Sequence, residues 1–502
     1  MNRTKRTLSM LLALLTVAAV TASCGSGSDV TDTATDNSAD TTAAVTEETN
    51  EREKIREEVP ADANYNGYEF RIQSRDADHH HKELTADAEN GETINDAVYR
   101  RNTAVEEKLN IKLKPIYESE APENTPLDIL RQCILAGDDY VDLALTHTIF
   151  GGQVAADGLF RNWYDLEYCD FTKPWWNKNV SDELTIGDQC YLAVGDMCIS
   201  AIDYAWSMVY NKELAANYDI GDIYQMVIDG KWTVDAFTEM LAQASVDLNG
   251  DSKYDDQDQY GFTTHDNSAI VNWMFALGQK VTQMDANGLP ELVLNTERMV
   301  SIVEKVDRVL HEGNQTFTVT DAYTKSLNTT HDLGVANMFA AGKTLFAAMR
   351  IYVIDNLRSM EANFGIIPFP KFDEAQETYY THVDGHAPLM GVPATVVDTE
   401  RTSVIIECLN AESYRTCVPA MYDIVLTEKF SRDEMSVKML DLILDGRTQN
   451  FGYVYEGSTG MQWALTNLMK SNSTDFTSYY SKREKQAVKY YNQIVEAHQN
   501  IE

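Results

Sequence analysis

The chain has 502 residues, 44% of them hydrophobic, and a formal net charge of −37. Length and apolar content suffice for two or more cores, while the charge argues against nucleic acid and anionic lipid as partners. Neutral or cationic cargo fits that charge, and seven Trp and 26 Tyr supply flat apolar faces on which a ligand can stack.

The chain opens as a signal peptide over residues 1–23. Arg3, Lys5 and Arg6 precede an apolar run from Leu8 to Val20, which is too short to span a bilayer. Thr21-Ala22-Ser23 before Cys24 resembles a bacterial lipobox, although Thr21 stands where leucine is usual. Cys24 is therefore the expected lipidation site and first mature residue. Residues 24–63 are rich in Gly, Ser, Thr, Ala, Asp and Glu, and read as a disordered acidic tether. Each buried lipid CH₂ contributes about 0.8 kcal/mol, enough for a multiply acylated cysteine to hold the chain at a membrane. No later apolar run is long enough to span one, so membrane contact is expected through the lipid anchor alone, with the body on the extracellular face.

The body begins with an alternating strand, Tyr68 to Ile72. Ile94, Ala97, Val98, Val105 and Leu109 then recur at helical spacing, and a second strand runs from Ile111 to Lys114. A further helical stretch leads to the apolar run Val141 to Leu145. Strand, helix, strand, helix, strand predicts an α/β lobe with parallel pairing. Strands are also expected at Tyr191 to Val194 and Ser207 to Tyr210. The middle of the chain reads as helical, with one helix beginning near Thr233 and another running from Met299 to Leu310. Strands return at Thr344 to Met349 and Phe364 to Ile367, and the segment after Ser403 is largely helical. Cys133, Cys169, Cys190, Cys198, Cys408 and Cys417 match no zinc spacing, and their pairing stays open between disulfides and buried thiols.

Several segments resemble bacterial extracellular solute-binding proteins of the maltose-binding type, the receptors of ABC importers. They are Asn95 to Asn102, Lys173-Pro174-Trp175-Trp176-Asn177, Ser207 to Lys212, Gly230 to Thr233 and Phe364 to Lys371. The Tyr210-Asn211-Lys212 that follows a strand and the Phe-x-x-Gly-Lys of Phe339 to Lys343 carry most weight. The resemblance implies a two-lobed α/β fold of periplasmic-binding-protein type II, with a hinge-closed cleft and more than one crossing between lobes. By that similarity, residues 64–196 with 385–430 form lobe one and 197–367 with 431–502 form lobe two. Crossings are expected near 195–202, across 368–384 and near Phe430. The implied protein is a monomer that captures an oligosaccharide or related small solute for ABC permease subunits. It is no enzyme and needs no organic cofactor.

Ligands of such folds sit beyond the carboxyl ends of strands, which selects the candidate residues. Trp175, Trp176, Trp206, Trp273 and Trp463 could stack on sugar rings. Arg75 and Asp78 after the first strand, Asp196 at the first crossing, Arg350 after a strand, and Asp384 and His386 at the second crossing could bind hydroxyls. A separate pattern, Asp247 to Asp258, reads as a twelve-residue calcium loop with oxygens from Asp247, Asn249, Asp251, Asp255 and Asp258 and the Lys253 carbonyl. Ser252 replaces the usual glycine and Asp258 the usual glutamate, and the expected role of Ca²⁺ is structural. His79-His80-His81 reads as a polar loop near the cleft mouth. Serine-hydrolase, zinc-protease and phosphate-loop motifs are missing. The alternatives are a surface glycan-active enzyme, or the same fold carrying a peptide, polyamine or metal.

Overall fold

The computed structural model describes residues 51–121, 124–357, 360–427 and 434–499. The expected signal peptide, Cys24 and the crossing near Phe430 lie outside them. In chain order the strands are β1 (Tyr68–Arg75), β2 (Ile111–Glu118), β3 (Leu143–His147), β4 (Trp206–Asn211), β5 (Tyr260–His265), β6 (Thr282–Met284) and β7 (Pro290–Leu292). They continue with β8 (Thr316–Val319), β9 (Thr344–Arg350), β10 (Phe364–Ile367), β11 (Thr381–His382), β12 (Pro388–Gly391) and β13 (Arg447–Thr448).

Two sheets organise the body. The first runs β12-β3-β1-β2, with β1 parallel to β2 and β3 and with β12 antiparallel at its edge. Helix Thr93–Leu109 makes the parallel crossover, burying Ala97, Val98, Val105 and Leu109 on one stripe. It ends at Asn110 in the left-handed conformation, which turns the chain directly into β2. Helix Thr399–Thr427 returns from far along the chain to lie on this helix. The second sheet runs β10-β4-β9-β5-β8, with β5 parallel to β8 and β9 and with β4 antiparallel to β9 and β10. Helix Val234–Ala244, capped by the Thr233 side chain, packs on β5 through Phe237, whose ring meets Phe262 at 5.1 Å.

Between the sheets the chain crosses through 196–205 and returns through 368–387. The two passages touch where Ala205 bridges Val383 and the Asp384 N–H donates to the Tyr204 carbonyl at 3.0 Å. Beyond the helix of 399–427, helix Glu434–Asp445 lies on β10, in the second lobe. The C-terminal segment, expected wholly in lobe two, instead touches both lobes. Helix Phe451–Val454 packs on helix Thr148–Ala156 of the first lobe, and helix Ala464–Lys470 packs on helices Ser268–Ala276 and Glu297–His311 of the second. Helix Glu484–Gln499 contacts both β7 and the 148–156 helix.

Three further readings are corrected. Residues 191–194 form a single bridge, Ala193 to Met390, because the chain turns at Gly195 toward the crossing. β5, β8 and β12 lie in stretches read as helical or left without structure; β5, Tyr-Gly-Phe-Thr-Thr-His, is neither alternating nor an apolar run. Residues 51–63, expected in the tether, lie against the first lobe. Ile55 and Val59 pack on the core, Arg415 pairs with Glu57 at 2.9 Å, and Arg52 sits 4.6 Å over the Tyr414 ring. The six described cysteines are free thiols. No helix among the described residues is long and apolar enough to cross a membrane.

Candidate ligand site between the lobes

Parallel strands of both sheets end toward the same junction. β1 ends at Arg75, β3 at His147, β5 at His265 and β9 at Arg350, while antiparallel β4 begins beside Arg350 at Trp206. Arg350 is the centre of the group. Its Nη1 lies 3.1 Å from Asp384 of the returning crossing, and its Nη2 donates to Asp332 of helix His331–Ala340. The guanidinium also sits 5.4, 5.5 and 5.1 Å from the Tyr204, Trp206 and Tyr352 rings. Burial alone would push the Asp384 carboxyl up. Arg350 and the hydrogen bonds from His386 overcome it and hold the group well below the usual carboxylate range. Burial lowers His265 to about 4, against the opposing pull of Asp332, so this imidazole is neutral at pH 7.

The first lobe closes the group from the other side. Arg75 is 2% exposed, donates from Nη2 to the His386 carbonyl, and has Nη1 2.9 Å from Glu120. His79 reaches across the junction, its ring 4.8 Å from Tyr352 and 5.5 Å from Tyr204. His147 and His386 meet at 5.2 Å, and Tyr204 lies 5.8 Å from His386. Among the buried polar atoms here that make no hydrogen bond with a described residue are Arg75 Nε, Trp206 Nε1, Arg350 Nε and Asp384 Oδ2, while His265 Nε2 lies 3.7 Å from Asp332. Buried polar atoms are nearly always paired, so unpaired donors and acceptors between aromatic rings make this group the candidate ligand site.

Of the residues selected from sequence, Arg75, Trp206, Arg350, Asp384 and His386 are brought together. Asp78 is the exposed first residue of helix Asp78–Leu84, and its neighbour His79 makes the contact instead. The histidine run is thus helical: His80 pairs with Glu83 at 3.0 Å, and His81 with Asp76 at 2.9 Å. Trp175 and Trp176 turn into the first lobe, where both indoles donate to Glu407, at 3.0 and 2.9 Å. Burial raises the Glu407 carboxyl to about 7, although both indole donors oppose it. Trp273 lies inside helix Ser268–Ala276 and packs on Phe237 and Phe369 in the second core. Asp196 is half-buried at the first crossing. Burial lifts its carboxyl to about 7 while Arg447 pulls it down. Trp463 is half-buried at the start of the 464–470 helix.

Tyr204, His265, Asp332 and Tyr352 were not selected from sequence. The strand-end rule would have found His265 had β5 been read as a strand. Asp332 and Tyr352 carry no local signal. A separate cavity of about 400 Å³ lies among Asn179, Glu183, Phe275, Gln279, Tyr380 and Asn450, at the far end of the 268–276 helix from this group.

The acidic loop of 247–258 folds on its own amides. Asp247 accepts from the Gly250 and Ser252 N–H groups at 2.6 and 2.8 Å, Asn249 from Asp251 and Asp251 from Lys253 at 2.8 Å each. Asp255 accepts from the Gln257 N–H at 2.8 Å. Fully buried Asp258 accepts from Leu248 and Asp255 at 2.9 and 3.0 Å. Ser252 takes φ of 65°, the left-handed conformation that glycine would adopt at that position. Among the described residues no three His, Cys, Asp or Glu side chains gather as a metal cluster.

No family model matches the sequence, and no curated protein does. Solved structures do match in fold. A cyclo/maltodextrin-binding protein complexed with maltotetraose is 14% identical with a TM-score of 0.54, the match covering 87% of this chain and 98% of that one. UspC of M. tuberculosis is 12% identical with a TM-score of 0.54, covering 85% of this chain and 100% of its own. The chain has the two-lobed periplasmic-binding-protein type II fold. The Arg350 group lies where residues of both lobes meet.

Replacing Arg350 by leucine leaves Asp332 and Asp384 buried without their cation, and is expected to cost about 3–5 kcal/mol in denaturant unfolding. Adding Asp332→Asn and Asp384→Asn should recover part of that loss. Because the Asp384 carboxyl is lowered on folding, its contribution is present above the ordinary carboxylate range and is lost as pH falls through its folded value. The triple variant should therefore lose less stability in acid than the wild type.

Proposed function

We propose that this chain is an extracellular solute-binding protein, tethered by lipid on Cys24, that captures an oligosaccharide for import by an ABC permease. The observation that carries the reading is the interlobe group itself. Rings of Tyr204, Trp206 and Tyr352 surround buried nitrogens and oxygens that make no hydrogen bond with a described residue. Sugar rings present apolar C–H faces and an equator of hydroxyls, and this combination of flat faces and oriented polar atoms complements both. Arg350 with Asp332 and Asp384 sums to −1, and the Arg75–Glu120 pair adds nothing, so the group disfavours an anionic guest. One of the proteins similar in fold holds maltotetraose, which supports the same class of ligand.

Capture follows from the two-lobe geometry. A ligand that touches His79 and Arg75 on one lobe and Tyr352 and Trp206 on the other gains its full contacts only when the lobes are closed. Binding therefore shifts the population toward closure, and the closed shape is what a permease would recognise. The chain's own groups bind and orient the solute and perform no bond chemistry.

Calorimetry on the chain freed of residues 1–24 should show saturable one-to-one binding of a neutral oligosaccharide family with no hydrolysis. Tyr352→Ala should weaken that binding by about tenfold or more. Product formation would support the glycan-active enzyme instead, and binding confined to peptides or polyamines would keep the fold and remove the sugar.

Attachment through Cys24 is tested by fractionation: Cys24→Ser should move the protein from membrane to medium, and unchanged membrane retention would exclude a lipid tether.

The loop of 247–258 is proposed to hold one structural Ca²⁺, supported by the spacing of its oxygens and the left-handed Ser252. Calcium should raise the melting temperature of chelator-treated protein, and Asp258→Ala should abolish the increase. An identical melting curve with and without calcium would remove the site.

A further inference from the structure

The lobes are joined at a second place besides the hinge. The stretch 447–454 is seated on the first lobe. Gln449 donates to the Thr148 hydroxyl at 3.0 Å, and Asn179 donates to the Asp445 and Arg447 carbonyls at 3.1 and 3.3 Å. Helix Phe451–Val454 lies so close on helix Thr148–Ala156 that a Cβ at Gly152 would come within 2.4 Å of the Val454 carbonyl oxygen. The same short helix meets the second lobe as closely, since a Cβ at Gly452 would come within 2.6 Å of the Val281 side chain. Two glycines thus let it sit as a wedge between the lobes.

Asn450 ties the wedge to the second lobe. It is 1% exposed, and an asparagine amide offers two donors and an acceptor with two lone pairs. All four are used. Oδ1 accepts from the Val281 and Thr282 N–H groups at 3.2 and 3.1 Å, and Nδ2 donates to the Thr282 carbonyl and to Glu183 Oε2, both at 2.8 Å. Val281 and Thr282 stand at the start of β6 in the second lobe, whereas Glu183 lies on helix Lys178–Leu184 of the first. The other Glu183 oxygen accepts from Lys280, and the Gly452 N–H donates to the Thr282 hydroxyl at 2.8 Å. Between β6 and β7 the Gly288 carbonyl accepts from the Gly187 N–H of the first lobe at 2.9 Å. These bonds are made in the same arrangement that brings His79 of the first lobe to 4.8 Å from Tyr352 of the second, so the junction is engaged while the cleft walls touch.

We infer that Asn450 and the 451–454 helix form a latch between the lobes, separate from the hinge, that holds the cleft closed and must be released for it to open. One side chain carries bonds to both lobes, so parting them there breaks those bonds together. Glu183, Lys280 and Asn450 border the cavity of about 400 Å³, where water can take over their bonds as the lobes part, which makes release reversible. The population of the open form is then set partly by this junction, and with it the affinity for any ligand that needs the closed cleft. The inference rests on the reading of a cleft that opens and closes, and on no particular ligand.

Small-angle X-ray scattering and amide hydrogen exchange on the ligand-free chain freed of residues 1–24 test this. Asn450→Ala should raise the radius of gyration above that of the wild type. It should also speed exchange of the Gly187 and Gly452 amides by about tenfold or more, although their own acceptors are unchanged, because the whole junction opens. Amides of β1 and β9 should keep wild-type protection, which shows that both lobes stay folded. Lys280→Ala, at a half-exposed position, should move both readouts the same way by less, and it supplies the test if Asn450→Ala fails to fold. Folded variants with the wild-type radius and wild-type exchange at Gly187 and Gly452 would overturn the latch. Neither readout uses a ligand, so a failure of every sugar to bind would bring down the oligosaccharide reading and leave the latch standing.

Discussion

A guanidinium buried where two lobes meet cannot keep its charge without carboxylates beside it, and Arg350 has two from different parts of the fold. Asp332 comes from a helix of the second lobe, and Asp384 from the strand that returns to the first. Satisfying this one cation therefore joins the end of β9 to the hinge. The same guanidinium gathers Tyr204, Trp206 and Tyr352 around it, two of them delivered by the first crossing and one by the turn after β9. What results is a buried cation held by two carboxylates and walled by rings.

The hinge beneath that centre is short and lightly bonded. Its two passages meet at one bridge between Ala205 and Val383 and at the Asp384 N–H to Tyr204 contact. Sparse pairing suits relative motion of two bodies, because few hydrogen bonds must rearrange. The C-terminal segment works in the other direction. Its helices reach the 148–156 helix on one side and the 268–276 helix and β7 on the other, so opening of the cleft is limited by contacts that both lobes share. Residues 51–63 add their own clasp on the first lobe through Glu57 and Arg415.

Much of the fold was legible because its helices carry local periodicity and several of its buried strands are short apolar runs. The stripe from Ala97 to Leu109, the cap at Thr233 and the run from Thr344 to Met349 each declare themselves within a few residues. β5 did not, since Tyr-Gly-Phe-Thr-Thr-His is neither alternating nor an apolar run, and its loss hid His265. Part of the candidate site was readable: the strand-end rule selected Arg75 and Arg350, and aromatic character selected Trp206 at the start of β4. The tryptophans were the weak point. Trp175 and Trp176 look as available for stacking as Trp206 does, and only Glu407, far along the chain, turns them inward.

The sequence by itself determined the acidic charge, the α/β alternation and the oxygen spacing of the 247–258 loop, because each is a property of composition or of neighbouring residues. Tertiary structure alone decided which aromatic rings face the cleft, which carboxylates pair with Arg350, and that Asn450 bonds to residues of both lobes. Those outcomes depend on contacts between segments hundreds of residues apart, and burial and hydrogen bonding exist only once such segments have met.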